Sequence, residues 1–304
     1  MKPHRSTSWA SIRLLALALA SSSLPRATAQ GFVPNLGPPH ERITVQCGDI
    51  TLLLRQQSQW TPGRIDFKGT PMTTERSAYG TVISFPEVGF IGTAHLENEP
   101  ENLKSLTFAL DGQTLEKPDA SLTGNTFRFK RKSRIRNFHL DCEIKLKDNR
   151  LYETTTVATD EAATLKLVYH FMHAWTPTVS AYLAGSAGAT DKEDSGALPN
   201  AKGGGRKFVI SRRVDWVAVY EPKSGQFAVS RLLEAPHQGG HASKIWNVPG
   251  AYQKYYLTSF QNQTVPAGFK GKWRMVTAFG KSDFENWESA ARELANDLRE
   301  QKTP

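Results

Sequence analysis

Phe138-His-Leu-Asp-Cys-Glu-Ile-Lys-Leu146 places an apolar side chain at every second position, and after Asp148-Asn149 the alternation resumes through Leu151–Val157. Successive side chains of a strand point to opposite faces, so this period of two reads as half-buried strands joined by a tight turn. Upstream, Phe127 and Phe129 alternate with Arg128 and Lys130. Ile135 is apolar in odd phase and Phe138 in even phase. A one-residue slip would turn every later side chain to the wrong face, so a β-bulge or a crossover between sheets is expected near Arg136.

Working outward, the same signal recurs on both sides. Ile43–Cys47, Thr51–Arg55, Arg64–Lys68, Tyr79–Phe85, Val88–Ile91 and Ser105–Leu110 precede it, the last closed by the hairpin dipeptide Asp111-Gly112. Phe208–Ile210, Val214–Tyr220, Gln226–Leu233, Ser243–Trp246, Tyr255–Phe260 and Lys272–Phe279 follow. Between them Gly185–Gly205, rich in Gly, Ala, Ser and charge, is expected to be a long mobile loop. One helix is expected, over residues 283–300. Ser282-x-x-Glu285 forms a capping box there, and Phe284, Trp287, Ala291, Leu294 and Leu298 form one apolar stripe. Without crossover helices a parallel α/β sheet is not expected. The expected fold is all-β, a large antiparallel β-sandwich with one C-terminal helix.

The N-terminus reads as a secretory signal over residues 1–29: a basic start (Lys2, Arg5, Arg13), a short apolar run Leu14–Ala20, and Ala27-Thr28-Ala29 at the cleavage site. The run is shorter than the roughly 20 residues that span a bilayer, so no membrane insertion is expected after cleavage. A secreted or periplasmic product starting at Gln30 would form a single domain over residues 30–304. Removing the leader's four cations lowers the formal net charge from +9 to +5. That balance is mildly basic and, with no nucleic-acid-binding motif, does not call for a nucleic-acid partner; an acidic polysaccharide is compatible. Cys47 and Cys142 each fall on the apolar phase of a strand. Export permits a disulfide between them, and two buried thiols fit the pattern equally.

Chemistry concentrates in Leu165-Lys-Leu-Val-Tyr-His-Phe-Met-His-Ala-Trp175, a strand that ends in two histidines and a tryptophan before a Thr-Pro turn. His170 and His173 fall on opposite faces of a regular strand. They share one only if the chain turns near Met172. The order of features around this strand is also informative. Arg64-Ile65 follows a Pro-Gly turn, then come His95, His170-Phe171, Val219–Phe227, Val265-Pro266-Ala267-Gly268 and a closing strand Trp273–Phe279. This order resembles the galactose mutarotase-like β-supersandwich, the fold of aldose epimerases, some glycoside hydrolase domains and several polysaccharide lyases. The resemblance spans Ile43 to Gly280. It implies a carbohydrate-sized groove on one concave sheet. In aldose epimerases a histidine of an Asn-His-aromatic motif acts as acid and a late glutamate as base. His170 corresponds to that histidine, with Tyr169 in place of the asparagine, and Glu234 is the matching late glutamate.

The candidate catalytic residues are therefore His170, Glu234, His95 and His173, because imidazole passes protons in either direction near neutrality. Candidate substrate contacts are Arg76, Tyr79, Trp175, His237 and His241. Arg76 could grip a carboxylate while Tyr79 abstracts the adjacent proton, the pairing that a uronate lyase needs. Trp60, Trp175 and Trp246 could stack on sugar rings, and Trp216 reads as core. His237 and His241 flank Gly239-Gly240, and with His170 or His173 would be needed to build a metal site. No metal or cofactor is assigned, and no P-loop, dinucleotide motif or serine elbow points to another enzyme class. Arg128, Lys130, Lys132, Arg134 and Arg136 share one face of a strand, either to bind a polyanion or to protect a sheet edge. The expected function is an exported carbohydrate-interacting protein, an epimerase or lyase acting on a sugar if catalytic. The alternatives are a non-catalytic carbohydrate-binding or envelope protein and a metal-dependent hydrolase.

Overall fold

Phe138–Lys147 and Arg150–Thr159 pair in register as central members of a ten-stranded antiparallel sheet. The structure, a computed structural model, describes residues 37–75, 80–93, 95, 98–186, 189–200 and 205–300. The signal reading at residues 1–29 lies outside the described residues, as do Arg76 and Tyr79. From one edge to the other, the ten strands run Ala189–Ala197, Ala181–Ser186, Trp216–Glu221, Gln226–Glu234, Lys270–Lys281, Arg150–Thr159, Phe138–Lys147, Thr126–Ile135, Asn102–Leu110 and Gln113–Leu115. A six-stranded sheet faces it, in the order Lys207–Arg212, Ala242–Val248, Tyr252–Ser259, Leu167–Trp175, Thr81–Phe85 and Gly89–Gly92. Contacts between facing strands join the two layers: Phe85 meets Phe138 at 6.0 Å, and the Thr81 hydroxyl donates to the Thr155 hydroxyl at 3.1 Å. A five-stranded sheet of the N-terminal strands completes the main core, and its one parallel pair joins Arg42–Cys47 to Ser121–Gly124. The all-β sandwich with a C-terminal helix is the observed fold.

Four expectations change in detail, each for a physical reason. The phase slip at Arg136 is a two-residue hairpin, not a bulge or a crossover. Ile135 and Phe138 are directly opposed, and Arg136 takes φ +50°. Opposed residues share a face, so a two-residue loop shifts the apolar phase without misdirecting any side chain. Part of the expected Gly185–Gly205 loop is instead the strand Ala189–Ala197, which pairs with Ala181–Ser186. It is the outermost strand of the ten, and a charged sequence is what keeps such an edge from pairing with another chain.

The helix occupies Trp287–Glu300, and the turn that leads into it is bonded through Asp283, not Ser282. The Asp283 Oδ1 accepts the Asn286 N–H at 2.9 Å, and Trp287 N–H donates to the Asp283 carbonyl. Phe284 therefore precedes the helix and is 65% exposed. Trp287, Ala291, Ala295 and Leu298 make the buried stripe, packed on Tyr220, Phe227, Val229 and Val276 of the outer face of the ten-stranded sheet. Finally, the basic strand Thr126–Ile135 lies between two neighbours, so edge protection does not explain its charges.

Both cysteines are buried free thiols, and burial pushes the Cys47 thiol up to about 11. Among the described residues, no helix is long and apolar enough to cross a membrane.

Candidate functional site

The strand Leu167–Trp175 sits in the middle of the six-stranded sheet, between Tyr252–Ser259 and Thr81–Phe85. Its register with Tyr252–Ser259 shifts between His170 and His173, where Phe171 adopts φ +52°. The extra residue of this bulge restores the phase, so His170 and His173 both point inward. The expected change of direction is thus made inside the strand, before the Thr-Pro turn.

Inside the sandwich each histidine meets a residue from the facing sheet. His170 is fully buried, stacks on Trp273 with ring centroids 4.2 Å apart, and shares a 3.1 Å hydrogen bond with Ser259 of the neighbouring strand. Burial pushes its imidazole down to about 3, so it is neutral at physiological pH. His173 Nε2 lies 2.8 Å from the Glu153 carboxylate, and its ring meets Trp175 edge-on at 5.2 Å. Trp175 is itself only 2% exposed and faces Phe279, so it packs the core and offers no ring to a ligand on the surface.

The opposite, outward face of the same sheet has a different composition. Tyr169, Met172 and Ala174 alternate with the inward set, and Val82 and Tyr256 pack beside them. On the neighbouring strand, Tyr252, Lys254 and Tyr256 share this face because they are two apart. The Lys254 ammonium lies 4.8 Å from the Tyr169 ring centroid, 4.8 Å from that of Tyr256 and 5.8 Å from that of Trp246. Rings present their negative faces to the cation, which compensates part of the cost of burying it. Burial nevertheless pulls the amine down to about 8. Tyr169 and Tyr256 are 4.7 Å apart. Burial, then interaction with Tyr169, raises the Tyr256 phenol above its usual range.

The rings continue in both directions. Phe90 contacts Tyr169 at 5.2 Å and stacks with His95 at 5.3 Å. On the far side Trp246 stacks with Phe208, which is 54% exposed. One lysine with a near-neutral amine is thus set in a band of aromatic rings that runs from His95 to Phe208.

The residues singled out in the sequence distribute as follows. His95 reaches the aromatic band. His170, His173 and Trp175 are on the other side of that sheet, in the core. Glu234 belongs to the ten-stranded sheet, 3.6 Å from both Lys272 and Arg274 on its solvent side, so His170 and Glu234 do not face a common space. His237 is exposed in the loop before Ala242–Val248, and His241 is half-buried there, its pKa lowered by burial and by Arg213. Among the described residues, no three His, Cys, Asp or Glu side chains gather as a metal site. Arg76 and Tyr79 lie outside the described residues. The segments flanking them are pinned to this sheet, since Thr74 N–H donates to Ala174 and Phe171 N–H donates to Gly80. Lys254, Tyr252 and Tyr256 carry the face and were not singled out. The available signal was a lysine between tyrosines two residues away on each side, all on one side of a strand.

The two main sheets are sealed by a mixed polar and aromatic core, with a helix on one outer face, and solved structures share this sandwich fold. Among solved structures, the chain is similar to the Slr1438 protein from Synechocystis sp. PCC 6803, with 9% identity, TM-score 0.51, and coverage of 82% of this chain and 99% of that one. It is also similar to the α-N-acetylgalactosaminidase NagBb from Bifidobacterium bifidum, with 8% identity, TM-score 0.53, and coverage of 84% of this chain and 39% of that one. A putative aldose 1-epimerase from Escherichia coli K12 aligns at 11% identity and TM-score 0.46, over 79% of this chain and 99% of that one. At these identities the likeness is one of fold. No family model matches the sequence. No curated protein matches it.

Proposed function

We propose that the protein binds a carbohydrate on the aromatic face of its six-stranded sheet, with Lys254 as the polar anchor. The single observation that carries this reading is the amine of Lys254 set among Tyr169, Tyr256 and Trp246. Aromatic faces stack on the C–H faces of sugar rings, and a few placed polar groups fix orientation in such sites. One structural neighbour of matching fold is an α-N-acetylgalactosaminidase, and that supports carbohydrate as the ligand class. Trp246 and Phe208 would supply the accessible stacking platform, and Lys254, which is 5% exposed, the hydrogen bond to a hydroxyl or carboxylate seated beside them. His95, stacked on Phe90, would act from the margin.

A catalytic version of this reading uses the same amine. A lysine held near pH 8 exchanges a proton readily at neutrality, so Lys254 is the acid–base group the face provides for epimerase- or lyase-type chemistry at a sugar carbon. Lys254→Met keeps the volume and removes the amine. It should weaken binding of a glycan found on a panel of neutral and uronic oligosaccharides by about tenfold or more, the scale of one charged hydrogen bond. Titration calorimetry reads this, with circular dichroism as the check on folding. Unchanged affinity in both Lys254→Met and Trp246→Ala, or no glycan bound by the wild type, ends the proposal. Turnover of the bound glycan, lost in Lys254→Met, separates the enzyme from the binding module.

Export belongs to the same proposal. It rests on the basic start, apolar run and small-residue cleavage site of residues 1–29. Protein recovered after expression with its leader should begin at Gln30 by N-terminal sequencing. An intact Met1 in the cell-free fraction contradicts it.

A further inference from the structure

The outer face of the ten-stranded sheet carries a hollow of about 410 Å³ on the side away from the aromatic band. It forms because the side chains there are small: Thr107 and Ala109, Gly112 and Thr114, all on the edge hairpin. Their neighbours on the next two strands are long and cationic: Arg128, Lys130 and Lys145. None of the residues lining this hollow is acidic or aromatic.

The pairing across these strands is unusual at one level. Lys130 faces Glu143 and Lys132 faces Asp141, each an opposite-charge pair as expected for a solvated sheet face. Arg128 faces Lys145 directly, and like charges placed opposite each other repel. Arg128 leans away to Glu143, at 2.7 Å, which Lys130 also approaches at 3.5 Å. One carboxylate therefore serves two cations, and Lys145 has no carboxylate partner among the described residues. A smaller hollow shares Lys145 with it and is lined also by Glu143, Tyr152, Glu153, Thr154 and Arg274, so the trough is most cationic in the main hollow.

We infer that this trough is a second binding site, for an acidic oligosaccharide bearing ring carboxylates. The occupant is argued from complementarity. The excess positive charge sits where the sheet is hollow, and a ligand carboxylate between Arg128 and Lys145 would replace their repulsion with two charge-assisted hydrogen bonds. The guanidinium fork matches a carboxylate, and the Thr107, Thr114 and Thr126 hydroxyls line the path with groups that donate to and accept from sugar hydroxyls. The volume lies within the range of small-ligand sites and holds a short oligosaccharide. A nucleic-acid strand fits less well, because the main hollow has no aromatic side chain on which bases could stack. The site is independent of the aromatic face, since the two lie on the outer sides of opposite sheets.

The test uses the full chain and an α-1,4-linked galacturonate hexamer. Its fully methyl-esterified form and a single-stranded oligonucleotide of equal charge serve as controls. The wild type should bind the hexamer with an affinity that falls as salt rises, and bind the ester at least tenfold more weakly. Arg128→Gln combined with Lys145→Gln should lose at least tenfold in affinity for the hexamer, whereas Lys223→Gln, at an exposed lysine of the turn after Trp216–Glu221, should not change it. The double variant loses both the Arg128–Lys145 repulsion and the exposed Arg128–Glu143 pair, while Lys130 keeps Glu143 paired, so it should melt close to the wild type. In the wild type, NMR cross-peaks of Thr107, Thr126 and Lys145 should move on titration, which maps the site without any variant. The inference is overturned by no binding of the hexamer, by affinity unchanged in the double variant, by shifts confined to other surfaces, or by equal binding of the oligonucleotide. Loss of hexamer binding in Lys254→Met, with the double variant unaffected, would place acidic sugars on the aromatic face instead.

Discussion

Alanine at Glu101 should cost about 3–5 kcal/mol of stability, the effect expected when one partner of a buried ion pair is removed. Glu101 and Arg131 are paired with no exposure of either side chain. Arg131 Nη2 also donates to Gln59 Oε1 at 2.9 Å, and the Thr93 hydroxyl donates to Glu101 Oε2 at 3.2 Å. Gln59 Nε2 in turn donates to the Glu101 carbonyl at 3.3 Å. Arg131 stands on the inward phase of its strand, between Phe129 and Ser133, and cannot reach water without breaking the sheet. Removing the carboxylate leaves a guanidinium buried without its counter-charge. Replacing both partners by apolar residues, Glu101→Leu with Arg131→Met, removes the stranded charge as well and should recover most of the loss. Urea unfolding of the two variants decides the matter. A double variant no more stable than Glu101→Ala would mean that packing, not charge, governs this site.

The second large effect is acid lability through His170. The unfolded chain binds a proton at His170 near pH 6.5, whereas the folded chain resists until about pH 3. Between those values the unfolded state holds more protons, so stability rises with pH and is lost as the solution is acidified. From pH 6 to pH 4 the loss amounts to about 2.5 kcal/mol for this one group. His170→Phe keeps a flat ring against Trp273 and has nothing to titrate. Its unfolding free energy should fall less over that interval by about the same amount. Carboxylates that titrate in this range contribute equally to both proteins and cancel in the comparison. Parallel pH profiles would show that His170 is not the proton acceptor. A glycan that protects the wild type at pH 4 but not at pH 6 would link this histidine to binding through the strand it shares with Tyr169.

How far the site was legible is shown by Leu165–Trp175. Its importance was readable, since it is an aromatic, histidine-rich strand entering a Thr-Pro turn. The direction of its histidines was not. Strand periodicity gives faces relative to one another, and one bulged residue at Phe171 inverts the relation for everything beyond it. The aromatic face was hidden for another reason. Lys254 lies 85 residues beyond Tyr169 in sequence, a separation that local pattern does not bridge. The basic strand shows the same limit. Its charged face was evident, but whether it stood at an edge depended on which strands paired with it.

Alternation, turn dipeptides and one amphipathic tail determined by themselves that this chain is an antiparallel all-β sandwich closed by a helix. The reason is that burial of one strand face or one helix stripe is a local demand, written residue by residue. Tertiary structure alone decided what the faces meet. It turned His170 and His173 into the core, drew Lys254 into a ring of aromatics, and set Arg128 opposite Lys145 above a hollow. Those outcomes depend on register and sheet order, which arise only when strands distant in sequence compete for the same partners.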